Sequence, residues 1–211
     1  MREPKAQTAH RASLQFERLV FFSDAVFAIA ITLLVLDLKL PPGARGVIDW
    51  NALAPKLFGF ALSFAVIGVY WLSHHNLFGG LAREDGRLRW INLVFLASVV
   101  FLPFPTSVIA EAQPTATAAV LYAGSVATVG FLLTAVALAA RTPKLMLPGE
   151  TRGGTARIVA RSLGTPIVFA LSIPIAVGHP VIAMLFWWLA WPAAIAGRTL
   201  GVWLERRMDA K

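Results

Sequence analysis

The sequence predicts an all-α, polytopic membrane protein with six transmembrane helices, and three observations predict it. Of its 211 residues, 57% are hydrophobic and only 14% charged, with a mean hydropathy of +0.69. An ordinary globular domain carries about 25% charged residues. The apolar residues gather into six runs of about 20, each long enough to cross roughly 30 Å of hydrocarbon. The basic residues, which give a formal charge of +8, collect between alternate runs. A water-soluble enzyme is excluded by this balance, and zero cysteines exclude disulfides, thiolate nucleophiles and cysteine-ligated metals.

The six expected spans are 19–38, 54–77, 89–110, 115–140, 157–178 and 180–203, each closed by charged or Pro/Gly breaks. A basic tail over residues 1–18 precedes the first. A Pro-Pro-Gly loop from Leu40 to Asn51 separates the first two, and a charged turn from Ala82 to Arg89 follows the second. A tight link runs from Glu111 to Pro114, a basic loop from Arg141 to Ala156, and a Gly178-His179-Pro180 turn before the last span. The whole chain, 1–211, reads as one six-helix transmembrane domain with short cytoplasmic tails. A cleaved signal peptide is disfavoured for the first run, which is long and carries Asp24.

Orientation follows from the cations. Sixteen of the nineteen Lys and Arg fall on one side of these spans, and only Lys39, Arg45 and Lys56 on the other. Positive residues hold cytoplasmic loops inside. An even number of spans in the inner (plasma) membrane, with both termini cytoplasmic, is therefore expected. So little chain lies outside the bilayer that function must be sought among the helices, and nucleic acid is not an expected partner.

The first span holds polar residues where lipid rejects them. On an ideal helix of about 100° per residue, with Ile29 at zero, Phe22, Leu33 and Leu36 fall within about 40° and Thr32 near −60°. Ser23 and Asp24 point away from this apolar stripe. An aspartate in hydrocarbon costs about 3 kcal/mol on insertion scales, so it should face protein and have a partner. His74 in the second span and Asn92 in the third lie at matching depth, and an Asp24, His74, Asn92 cluster is expected to tie the first helix to the next two.

Three motifs occur in order: Arg18…Phe22-Ser23-Asp24, Trp71-x-x-His74-x-x-Leu77-Phe78, and Asn92…Phe101-Leu102-Pro103-Phe104. Together they resemble the endosomal and lysosomal potassium channel family (the transmembrane-protein-175 family) in its bacterial, single-repeat branch. The resemblance covers the first three spans. It implies a six-helix subunit without a pore loop, four copies around an axis as a homotetramer in membrane lipid, and a central K⁺ pathway lined by the first helix. By the same resemblance the constriction maps to Ile29, Leu33 and Leu36, with the Thr32 hydroxyl beside them. Rings of such side chains form a hydrophobic gate and offer no carbonyls to replace an ion's hydration shell, so selectivity for K⁺ over Na⁺ should be modest. Arg18, Ser23, Asp24, Trp71, His74 and Asn92 form the expected structural polar network. Arg18 falls on the stripe side of the wheel and reads either as a mouth residue or as a network member.

The alternative is a proton-coupled secondary transporter using Asp24 and His74; a membrane scaffold is a third class. No cofactor is expected. His74 and His75 are adjacent on a helix and point about 100° apart, so no metal site is expected. Thr128-Val129-Gly130-Phe131 imitates a potassium-filter signature but continues into Leu132 inside an unbroken apolar run, and reads as ordinary helix. No Ser/His/Asp triad, phosphate loop or carboxylate pair supports an enzyme.

Overall fold

The computed structural model describes residues 5–38, 49–111, 115–148 and 152–209. The expected loop cations Lys39 and Arg45, the terminal Arg2 and Lys211, and the centres of the Leu40–Asn51 and Glu111–Pro114 links lie outside them. Among the described residues the chain is helical, with one isolated antiparallel bridge.

Six segments are long and apolar enough to span a membrane: Arg11–Leu36, Trp50–Phe78, Gly86–Ala110, Ala116–Ala140, Ile158–Gly178 and Pro180–Trp203. They coincide with the six expected runs. Helix α1 (Lys5–Leu33) starts well before the expected boundary, so residues 5–18 are not a separate tail. Their sequence holds neither Gly nor Pro and favours helix, and Phe16 stacks on Phe78 with ring centroids 6.0 Å apart.

Helix α2 (Trp50–Phe78) is capped by Asp49, whose Oδ1 accepts from the Asn51 and Ala52 amides. Helix α3 (Gly86–Phe101) is capped by Asp85, which accepts from the Leu88 amide at 2.8 Å. Pro103 and Pro105 then interrupt the third span, because neither has an N–H to donate. The Leu102 amide tightens onto Val99 O, and Thr106 bonds Leu102 O through both its amide and its hydroxyl, so that α4 (Pro103–Glu111) continues the crossing.

Helix α5 (Ala116–Ala140), capped by Thr115, is the central element and touches α2, α3, α4, α6 and α7. Its many alanines let neighbours come close. Gly130 lies where an added Cβ would sit 2.5 Å from Pro166 Cβ and 2.8 Å from the Tyr70 hydroxyl, so only glycine fits between α2 and helix α6 (Arg152–Gly178). A second polar cluster joins α2, α4 and α5: Ser63 Oγ lies 2.7 Å from Thr106 Oγ1 and 3.0 Å from the Tyr122 hydroxyl, and Tyr70 donates to Val126 O.

The last span is broken. Helix α7 (Pro180–Phe186) passes through a 3₁₀ turn, Trp187–Leu189, into α8 (Ala190–Asp209). Trp187 is buried, donating to Ser172 Oγ and packing on Tyr122 and Phe169; Trp188 and Trp191 are exposed. Thr128 and Gly130 sit inside α5, where Thr128 Oγ1 donates to Gly124 O. The filter-like tetrapeptide is ordinary helix.

Candidate ion pathway on the first helix

Helix α1 carries two stripes. Leu19, Ser23, Phe27, Ala30 and Leu34 are buried, at spacings of four, four, three and four. Arg18, Phe22, Ala25, Ile29, Thr32 and Leu36 are exposed at nearly the same spacing on the opposite side. Ile29 is 56% exposed and Leu36 62%, while Leu33 is half-buried at the edge between the stripes. Thr32 Oγ1 donates to Ile29 O at 2.9 Å, which leaves its lone pairs on the open face.

The wheel of an ideal α-helix ends at Leu33. Residues Leu34–Asp37 form a 3₁₀ turn, and Leu38 N–H bonds Val35 O at 3.1 Å. In a 3₁₀ turn residues i and i+3 eclipse. Leu36 therefore stacks above Leu33 rather than beyond Ile29, and the apolar column steps sideways at its end.

The polar network fixes the buried side of α1. Ser23 O–H donates to Leu19 O at 2.8 Å and its oxygen accepts from Asn92 Nδ2 at 3.0 Å. Asn92 Oδ1 lies 2.9 Å from His74 Nε2. An amide oxygen only accepts, so the hydrogen-bond pattern assigns the proton of His74 to Nε2. Phe78 stacks on the His74 ring at 4.1 Å, and Phe95 and Phe27 close the surround at 5.6 Å each. Ser23, His74 and Asn92 are all buried, so three helices converge on one asparagine.

Asp24 is arranged differently from expectation. It does not meet His74 or Asn92 by a hydrogen bond; Ser23 takes that place, because Ser23 lies about 100° around the helix on the buried stripe. Asp24 is half-buried and accepts from Trp71 Nε1 at 2.9 Å. Arg18 is exposed and has no hydrogen-bond or ionic partner among the described residues, so within one chain it stands outside the network. His75 is exposed, and its ring lies 5.4 Å from that of Trp71, tilted by 33°. Among the described residues no group of three or more His, Asp or Glu is assembled that could hold a metal ion.

The sequence reading missed the aromatic box around His74 and the Ser63–Thr106–Tyr122 cluster. The signal for the latter was available, since Ser63 and Thr106 are hydroxyls inside apolar spans and such groups seek partners.

These features define an all-helical membrane protein of six spans whose first helix is anchored on one side by a buried polar network and leaves an apolar stripe uncovered on the other. Residues 18–103 match the profile of a family described as endosomal/lysosomal potassium channel TMEM175, and the resemblance read from the motifs stands. That family is one of ion channels and not of enzymes. A potassium channel of Streptomyces collinus is 46% identical over 99 residues, 44% of this chain and 47% of that protein. The mouse endosomal/lysosomal proton channel TMEM175 is 33% identical over 112 residues, 48% of this chain and 22% of that protein. A crystal structure described as a lysosomal potassium-selective channel TMEM175 homolog from Chamaesiphon minutus superposes with a TM-score of 0.72 at 28% identity, over 87% of this chain and 98% of that one. The chain spans about half the length of the curated bacterial relatives it matches.

Proposed function

We propose that this chain forms a passive K⁺ channel in which four copies bring the exposed stripe of α1 together around a common axis. The observation that carries the proposal is the exposure of Ile29, Thr32 and, one sidestep on, Leu36 on a helix whose other side is locked by buried polar bonds. An apolar face in lipid needs no such lock. A pore wall does, because its diameter depends on where each helix is held. Ile29, Leu33 and Leu36 form the constriction, Thr32 supplies its hydroxyls, and the eclipsed Leu33 and Leu36 give a tall apolar collar that dewets when narrow. Selectivity for K⁺ over Na⁺ is modest, since no carbonyl cage replaces the hydration shell. Ser23, Asp24, Trp71, His74 and Asn92 hold the wall in place, and Arg18 lies on the pore side at its cytoplasmic mouth. The chain acts as one domain in the inner membrane, with both termini in the cytoplasm, and takes no cofactor.

The rival is a proton-coupled carrier working through Asp24 and His74, and the mouse relative's name as a proton channel gives it a foothold. Against it, His74 is enclosed by three phenylalanines and bonded to Asn92, and Asp24 is bonded to an indole on the side away from the stripe. Purified protein in liposomes decides between them. A channel passes K⁺ down its gradient with no imposed proton gradient, and the particle in detergent has the mass of four chains. Potassium flux that requires a proton gradient, or a dimeric particle, overturns the reading.

A further inference from the structure

Two connections at one end of the bundle are pinned together. The Ala82 amide donates to Leu145 O at 2.8 Å and the Leu147 amide to Gly80 O at 3.0 Å, around an antiparallel bridge between Leu81 and Met146. Leu81 and Leu145 are buried beneath it. Arg83 and Lys144 each lie two residues from the bridge, Lys144 within the turn closed by the Leu145 amide on Thr142 O, and both are exposed.

The bridge thus draws cations of two connections to one end of the bundle, and like charges gathered there repel. The two acids of the first connection are already engaged: Glu84 is gripped by Arg89 through Nε and Nη2, at 2.6 Å for the latter, and Asp85 caps α3. Arg83, Arg87, Arg141 and Lys144 are left without an anionic partner among the described residues. Beside them stand apolar groups open to the surroundings. Trp90, one turn past Arg87 on α3, is 71% exposed, and Leu147 follows Lys144. Cations beside an exposed indole at a helix end are the chemistry of the membrane–water boundary.

We propose that the rim formed by Arg83, Arg87, Arg141 and Lys144 binds the phosphate of an anionic phospholipid headgroup, whose glycerol and upper acyl chains lie against Trp90 and Leu147. A bound phosphate offsets the charge these cations gather at the bridge and reinforces the tie between the α2–α3 and α5–α6 connections. The site is independent of the ion pathway.

Native mass spectrometry of the full chain in neutral detergent, titrated with phosphatidylglycerol, cardiolipin or phosphatidylcholine, tests this. The anionic lipids bind in preference to phosphatidylcholine. R83Q/K144Q weakens them about thirtyfold, taking roughly a fivefold loss per basic residue near a membrane surface. R206Q/R207Q removes the same charge from exposed positions near the end of α8 and leaves binding within about threefold of wild type. R83K/K144R keeps both charges and keeps the lipid. Should R83Q/K144Q fail to fold by circular dichroism, R87Q and R141Q decide in its place, each with about a fivefold loss. Equal losses in the 83/144 and 206/207 variants reduce the effect to diffuse charge and overturn the proposal, as does a lack of preference for anionic lipid. Displacement of the lipid by inorganic pyrophosphate at equal concentration overturns the assignment to a lipid headgroup.

Discussion

Trp71 reaches from α2 to Asp24 on α1, its indole Nε1–H donating to Oδ1 at 2.9 Å. The bond explains how a carboxylate is tolerated within the first span: it faces protein, half-buried, on the side of α1 away from the exposed stripe. It also divides labour with the neighbouring position. Ser23 secures α1 to α3, and Asp24 secures α1 to α2.

Asp24→Asn retains an oxygen that accepts from the indole, so on the proposed channel reading the variant is expected to assemble and pass K⁺ with little change. Trp71→Phe removes the donor and costs about 0.6–2 kcal/mol, the range of interhelical hydrogen bonds in membranes. Thermal unfolding in detergent and liposome flux, measured on both variants, check this. Loss of flux in Asp24→Asn with an unchanged melting temperature would favour the carrier.

Asn92→Leu is more damaging. It removes one partner from each of two buried groups, Ser23 Oγ and His74 Nε2, and leaving a buried polar group unsatisfied costs about 1–3 kcal/mol. A fall in melting temperature larger than that of Trp71→Phe is expected, with Ser23→Ala in between. If Asn92→Leu is as stable as wild type, the network does not lock α1.

In the proposed pore, Leu33→Ala and Leu36→Ala each widen the same collar because the two residues eclipse in the 3₁₀ turn. Conductance rises and K⁺ over Na⁺ discrimination falls in both, and the double variant adds little to selectivity loss beyond either one. Single-channel recording under asymmetric K⁺ and Na⁺ measures these outcomes. Two unchanged single variants would remove the residues from the ion path.

Gly130→Ala introduces a methyl group where Pro166 Cβ stands 2.5 Å away and the Tyr70 hydroxyl 2.8 Å away. Overpacking of this kind costs about 1–3 kcal/mol. Gly124→Ala, on the same helix with open space around the new Cβ, is the control and is expected to leave the melting temperature unchanged or slightly raised.

Much of this architecture was legible in the chain. Six apolar runs forecast six spans to within a few residues, since hydrocarbon thickness sets the length of each run. The largest misjudgement was the start of the first helix, because residues 5–18 are polar enough to leave the apolar run yet are helix-forming; α6 likewise begins at Arg152, inside the expected Arg141–Ala156 loop, and α8 runs on to Asp209. The cations of residues 83–89 and 141–144 were assigned to one side from parity alone, and the bonds between Ala82 and Leu145 place both connections at the same end of the bundle.

What sequence could not settle was pairing across space. Helical spacing located Ser23 and Asp24 on the far side of α1 from Ile29, but a difference of about 100° decides which neighbour each side chain meets. Packing gave Asn92 to Ser23 and Trp71 to Asp24. The tight winding of Leu34–Asp37 was equally hidden, because nothing in four apolar-rich residues distinguishes an α-turn from a 3₁₀ turn. The sequence by itself determined the number of crossings, the basic end of the bundle and the residues with no place in lipid. Tertiary structure alone decided which of those residues hold one another, because burial and hydrogen bonding depend on the azimuth and depth of neighbouring helices, and a linear pattern carries neither.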